Sequence, residues 1–220
     1  MFLQNKCSVP SCNHISLSSF SETGEIQELR GFCLDHIPDP GMARRNILRY
    51  IETHNKIVGL NASWLNFRDM DFSGKQFYGC DFSHCTFTNV LGREIRFRMN
   101  IFDYAVFNDC NFSNSHIMFT SFSGSKFYHC LFTESDMVQN NFNGVQAFQC
   151  SFDKSDLFNS RFIKSSLFDT SFRDCNVKKV DFWESKRTNV SFKLSNTREA
   201  LFSRDGSELY TGESSEGGEE

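Results

Sequence analysis

Three cysteines and a histidine near the amino terminus are the residues best placed to do chemistry. Cys7, Cys12, Cys33 and His36 are spaced as C-x4-C-x20-C-x2-H. Zinc takes four thiolate or imidazole donors in a tetrahedron, and two short chelating pairs lower the entropy of assembling them. Cys7 with Cys12, and Cys33 with His36, are the expected knuckles of a small zinc-finger-like segment over residues 1–39. His14, two residues after Cys12, competes for the fourth place, and C-x4-C is wider than the commonest C-x2-C. The alternative is three unrelated thiols and a surface histidine. The motif places no further acid or base, so the expected metal is structural. So short a segment, poor in apolar side chains, cannot sustain a core alone, and zinc is expected to supply its folding energy.

The elements that must carry this unit begin at Asp39-Pro40, an N-cap followed by proline at the first helical position. A helix is expected from about Pro40 to Lys56 within a capping segment 40–58, closed by Gly59. Ile47, Leu48, Tyr50 and Ile51 form its apolar side, and Arg44, Arg45 and Arg49 are read as a solvated face. Its expected place is over the first coil of the repeat region that begins at residue 60, since solenoid ends need covering.

Over 60–195 the sequence keeps a period of five. Of the 27 slots from Ala62 to Phe192, 18 hold phenylalanine, and no insertion or deletion disturbs the phase. The exceptions are mostly apolar or small, Gly92 and Ala147 among them, and Arg187 is the one charged residue in the series. Two residues before each slot lies a second register of mostly small or β-branched side chains. Residues two apart on a strand share a face, so each pentad supplies one large and one small inward group. The other three positions are rich in turn formers. Spacings of three and four, which a helix needs, are missing. After Phe132 the slots alternate between phenylalanine and smaller residues. Stacking of like on like then requires an even number of pentads per coil, and four is preferred.

Stretches such as Asp81-Phe82-Ser83-His84-Cys85-Thr86-Phe87 and Cys110-Asn111-Phe112-Ser113-Asn114-Ser115 resemble the pentapeptide-repeat family, A(D/N)LXX in its commonest form, with Phe in the central place. The resemblance implies a mainly β fold, a right-handed four-sided parallel β-helix of about seven coils. At about 4.8 Å per coil the rod is on the order of 30 Å long.

Charge and cysteine usage bound the function. Residues 60–195 hold 15 Lys or Arg against 14 Asp or Glu, so the rod is nearly neutral. Much of the acidity falls in 212–220, within a C-terminal segment 196–220 read as a cap followed by a disordered acidic tail. Six of the nine cysteines occupy the small inward register, where thiols act as buried small hydrophobes. The start of the chain lacks the apolar core of a signal peptide, and the longest apolar runs are too short to span a membrane. A cytoplasmic protein is expected.

Aromatic residues follow the slots at Tyr128, Phe148 and Phe168, 20 apart, and are expected to form one exposed column that binds a partner; the alternative is that each folds over a small neighbour in the core. Met118, Val138 and Phe158 make a weaker column on the opposite side. No phosphate-binding glycine loop, nucleophile elbow or HExxH is present. The sequence therefore reads as a non-enzymatic interaction or scaffolding module with a protein partner, and with a homodimer contact through a solenoid end in view. The alternative, drawn from the resemblance, is a topoisomerase or gyrase regulator acting by DNA mimicry. Mimicry needs a strongly negative surface, and a near-neutral rod weighs against it and against a direct nucleic-acid partner.

Overall fold

Phe67 pairs in register with Phe87, Phe87 with Phe107 and Phe107 with Phe127, an offset of 20 residues at every step. Four pentads therefore close one coil. The structure, a computed structural model, describes residues 5–27 and 31–203. Within them about seven coils stack into a parallel β-solenoid between residues 56 and 202.

Each pentad is a three-residue strand or a single bridge, followed by a turn. One side of the rod is a four-stranded sheet of β3 (Lys56–Val58), β5 (Gln76–Tyr78), β7 (Arg96–Arg98) and β9 (His116–Met118). The facing side is a seven-stranded sheet. It runs through β4 (Asn66–Arg68), β6 (Thr86–Thr88), β8 (Val106–Asn108), β10 (Lys126–Tyr128), β11 (Gln146–Phe148), β12 (Ser166–Phe168) and β13 (Lys186–Thr188). The two remaining sides are ladders of isolated bridges such as Asp81↔Ile101 and Asn111↔Leu131.

The slot side chains fill the interior. Phe122 stacks on Phe102 at 5.1 Å and on Phe142 at 5.0 Å, with interplanar angles of 8° and 1°. Across the rod the rings meet edge to face, as Phe152 and Phe162 do at 5.8 Å and 89°. Both arrangements suit the ring quadrupole. Beyond Phe132 the two phenylalanine columns lie on opposite sides, with smaller residues between them, as the alternation requires. The small register satisfies buried backbone. Ser135 Oγ accepts from the Ser115 amide at 2.9 Å and donates to the Phe112 carbonyl at 3.2 Å, and Ser155 repeats the pattern one coil on. Cys85 Sγ donates to the Ala62 carbonyl at 3.0 Å in the same register.

Two residues after each slot the backbone turns through left-handed φ, at 68° for Trp64, 59° for His84 and 59° for Tyr104. That region disfavours bulky residues. The corner amides gain hydrogen bonds to the neighbouring coil in return: Trp64 N to Ser83 O at 2.9 Å and His84 N to Asp103 O at 2.9 Å.

The amino-terminal unit sits on the first coil as a further layer. Leu17 is buried, and Ser18 N donates to Asn61 O at 3.0 Å while Asn61 Nδ2 donates to Ser16 O at 2.7 Å. A two-stranded hairpin, β1 (Ser19–Phe20) with β2 (Ile26–Gln27), leads on towards α1 (Pro40–Thr53). Asp39 Oδ1 caps the helix by accepting from Met42 N at 2.8 Å, and Ala43, Ile47, Tyr50 and Ile51 form its buried side. The helix expected to reach Lys56 ends at Thr53, because residues 56–58 pair with β5 as the first strand of the rod. Gly59 then serves as the first corner, at φ 69°, rather than as a helix cap.

At the other end the five-residue phase continues to Phe202, which stacks on Phe182 at 5.0 Å and 2°. The guanidinium of Arg187 lies 4.9 Å from the centroid of that ring, which explains a cation in an otherwise apolar series. The acidic tail expected at 212–220 lies outside the described residues.

Candidate metal centre and outer surfaces

The loop from Cys7 to His14 doubles back on itself. Cys7 N donates to His14 O at 2.8 Å, and Cys12 N to Val9 O at 2.9 Å brings the second sulfur towards the first. Ser8 N to Gly31 O at 2.8 Å lays this loop against the segment carrying Cys33, where a turn closed by His36 N to Cys33 O at 3.1 Å returns the imidazole.

The four expected ligands come together, with their donor atoms within 4.8 Å of one another. Cys12 Sγ is 3.8 Å from Cys33 Sγ, Cys7 Sγ is 3.5 Å from His36 Nδ1, and Cys33 Sγ is 3.3 Å from the same nitrogen. A tetrahedron with metal–sulfur bonds of about 2.3 Å has edges of about 3.8 Å between sulfurs and somewhat less to nitrogen. The set fits a metal ion of that size. Burial presses both inner thiols upward. At Cys33 it prevails, and the thiol is pushed up to about 11. At Cys7 the burial is outweighed by the amides of Cys33 and Val9 and by the His36 ring, which together hold the sulfur down to about 6.

His14 takes another part. Its Nδ1 lies 3.2 Å from Asp35 Oδ2, and its ring is 5.9 Å from that of Trp64. With Cys33 and Asp35 it makes a three-donor group that shares a sulfur with the Cys3His set. Trp64 continues the contact along the rod, stacking on His84 at 4.0 Å, which in turn stacks on Tyr104 at 5.2 Å. This ladder joins the amino-terminal unit to the rod. It is carried by corner residues 20 apart, a recurrence the sequence displays but that the slot and small registers overshadow.

Of the expected aromatic column, Phe148 and Phe168 are exposed and stack at 5.1 Å and 4°, whereas Tyr128 is half-buried one coil away. Histidine–carboxylate pairs occur at His116 with Asp136 (2.8 Å) and His129 with Asp109 (3.0 Å). Both are exposed, and neither ring has a hydroxyl or thiol hydrogen-bonded to it, so no nucleophile is assembled there.

No family model and no curated protein matches this chain. Solved structures do. Trypsin-treated QnrB1, a plasmid-mediated fluoroquinolone resistance protein, is 16% identical over 69% of this chain and 85% of its own, with a TM-score of 0.41. HetL, a pentapeptide repeat protein from the cyanobacterium Nostoc sp. strain PCC 7120, is 10% identical over 72% and 96%, with a TM-score of 0.33. A pentapeptide repeat protein from the thylakoid lumen of Arabidopsis thaliana is 20% identical over 56% and 68%, with a TM-score of 0.23. This chain is a pentapeptide-repeat-like solenoid. The pentapeptide-repeat-like rod carries an amino-terminal Cys3His cluster able to hold a metal ion. Among its described residues no helix is long and apolar enough to cross a membrane.

One expectation is corrected. The near-neutral rod was reason to set nucleic acid aside as a partner class. Net neutrality averages over surfaces that differ, since the acids lie away from the strand positions of both sheets. The outward positions of β3, β5, β7 and β9 hold three cations and no acid, a local surface to which the overall balance does not apply.

Proposed function

We propose that this chain is a non-enzymatic interaction module of the cytoplasm, in which a zinc-held amino-terminal unit and a stiff rod present fixed surfaces to a macromolecular partner. The observation that carries the reading is the stacked, exposed pair Phe148 and Phe168, with Tyr128 beside it, on a sheet whose other outward residues are mostly polar. Large aromatic groups left in water at neighbouring positions are what interface centres are made of. Zinc fits a Cys3His donor set, and a reducing compartment keeps its thiols available. The test is capture from native lysate with wild type and with Tyr128→Ser/Phe148→Ser/Phe168→Ser. A partner lost in the variant supports the reading, and one retained by both removes the aromatic column from it.

A second reading makes the chain a regulator of a DNA topoisomerase or gyrase acting by DNA mimicry. QnrB1, a fluoroquinolone resistance protein, supports considering it. Exposed acids do recur along one corner of the rod, at Glu94, Glu134 and Asp174, and these are the groups a DNA-like surface would use. Purified gyrase decides the matter. Relief of fluoroquinolone inhibition or loss of supercoiling at stoichiometric protein supports mimicry, and no effect on either rejects it.

A further inference from the structure

Neither sheet of the rod presents an acid at its outward strand positions, but the four-stranded sheet gathers its cations on few strands, whereas the facing sheet spreads Arg68, Lys126 and Lys186 along its length. None of the four-stranded sheet's outward side chains, at 56, 58, 76, 78, 96, 98, 116 and 118, is acidic, and Lys56, Arg96 and Arg98 are exposed cations. Among the described residues no carboxylate pairs with any of the three. At the corners of the rod cations do find acids one coil away, as Lys154 does with Glu134 at 3.3 Å and Lys164 with Glu184 at 3.5 Å. The next acid along the column, Asp136, is held by His116, and Glu94 at the corner leading into β7 makes no ion pair with these cations.

Aromatic faces lie under two of the three. Lys56 Nζ is 5.6 Å from the centroid of Tyr78, and the Arg98 guanidinium is 5.8 Å from that of Phe119, itself 42% exposed. Arg96 and Arg98 share one strand face about 6.6 Å apart, where like charges repel until an anion lies between them.

We propose that this face binds a single-stranded nucleic acid, with phosphates on Lys56, Arg96 and Arg98 and bases against Tyr78 and Phe119. Unpaired cations recognise phosphate, and flanking π-faces recognise bases whatever their sequence. A flat sheet with such rings suits splayed single strands rather than a duplex groove. An acidic peptide would use the cations and leave the rings idle. The inference rests on the reading of the rod as a binding module and gives one face a partner class. It shares no residue with Tyr128, Phe148 and Phe168, so the two can fail separately.

The experiment is fluorescence anisotropy of labelled 20-nucleotide oligouridylate and oligothymidylate with the zinc-loaded full chain across a salt series. Three phosphate contacts give a log–log salt slope of about −2. Lys56→Gln/Arg96→Gln/Arg98→Gln is expected to weaken binding at least about tenfold and to flatten that slope. Phe119→Ala is expected to weaken binding and keep the slope. Unchanged far-ultraviolet dichroism shows that the variants fold. Binding of both oligomers, or of one alone, supports the proposal. It is overturned if wild type binds neither, if the triple variant binds as wild type does, or if polyglutamate or phosphatidylserine vesicles compete as well as unlabelled oligomer. Should it fall while the Phe148 column still captures a partner, the binding-module reading stands without this face.

Discussion

The ring of Phe112 occupies the space that a side chain at position 92 would need. A Cβ on Gly92 would meet its carbons at 2.5 and 2.7 Å. Gly92 holds a slot between Phe72 and Phe112, and the phenylalanine one coil on has leaned into the vacancy. Gly92→Ala is therefore expected to destabilise the rod by about 1–3 kcal/mol, the range for overpacking a filled core. Urea unfolding checks it, and an unchanged midpoint would show that Phe112 can withdraw at no cost.

Two buried serines in equivalent positions are expected to behave oppositely. Ser135 Oγ serves the Ser115 amide and the Phe112 carbonyl, so Ser135→Ala orphans a buried N–H at a cost of about 1–3 kcal/mol. Ser165 Oγ is buried without a hydrogen-bond partner. Ser165→Ala removes that unmet group and is expected to be neutral or stabilising by about 1 kcal/mol. Equal losses from both substitutions in the same unfolding assay would contradict the assignment.

Three of the rod thiols, Cys80, Cys85 and Cys175, set an alkaline limit. Burial pushes Cys80 up to about 12, Cys175 up to about 11 and Cys85 higher still. An unfolded cysteine ionises near about 8.5. Stability from these raised values is full below that pH. It falls as the pH climbs towards 11 and 12, because only the unfolded chain gives up the protons. Thermal midpoints at pH 8 and pH 10 are expected to separate more for wild type than for Cys80→Ala/Cys85→Ala. At pH 8 native Cys80, Cys85 and Cys175 are expected to resist a thiol reagent that labels them after unfolding.

Metal removal separates the two parts of the molecule. A chelator is expected to release one equivalent of zinc and to abolish the fold of the Cys3His unit while the β-sheet signal of the rod persists. Cys33→Ser is expected to lose the metal. His14→Ala keeps it, because His36 completes the donor set and His14 faces Asp35 and Trp64. Metal analysis of the purified variants distinguishes them, and loss of zinc from His14→Ala would exchange the roles of the two histidines.

Most of the rod was legible because its period is a backbone period. One slot and one small residue per pentad must face inward, and alternation after Phe132 can stack only with an even number of sides. The ligand set was legible from spacing, since Cys7–Cys12 and Cys33–His36 each close a loop that brings two donors within reach. Less legible was whatever depended on competition between elements. Lys56 reads as the last residue of a helix, and Ile57 and Val58 as the end of its capping segment, until β5 is present to pair with all three. Arg187 stands out in the sequence because its partner, Phe202, lies beyond the series that runs to Phe192. The ladder from His14 through Trp64 and His84 to Tyr104 joins parts of the chain far apart in sequence. Nothing local to any one of those residues marks it.

Leu17 over the first coil, with Ser16 and Ser18 bonded to Asn61, has a consequence for how the molecule is made. Each coil finds its hydrogen-bond donors and acceptors on the coil before it, so the first needs a template that is not itself a coil. The amino-terminal unit is that template, and it leaves the ribosome before any strand that must copy it. Each later coil then awaits only the translation of 20 more residues.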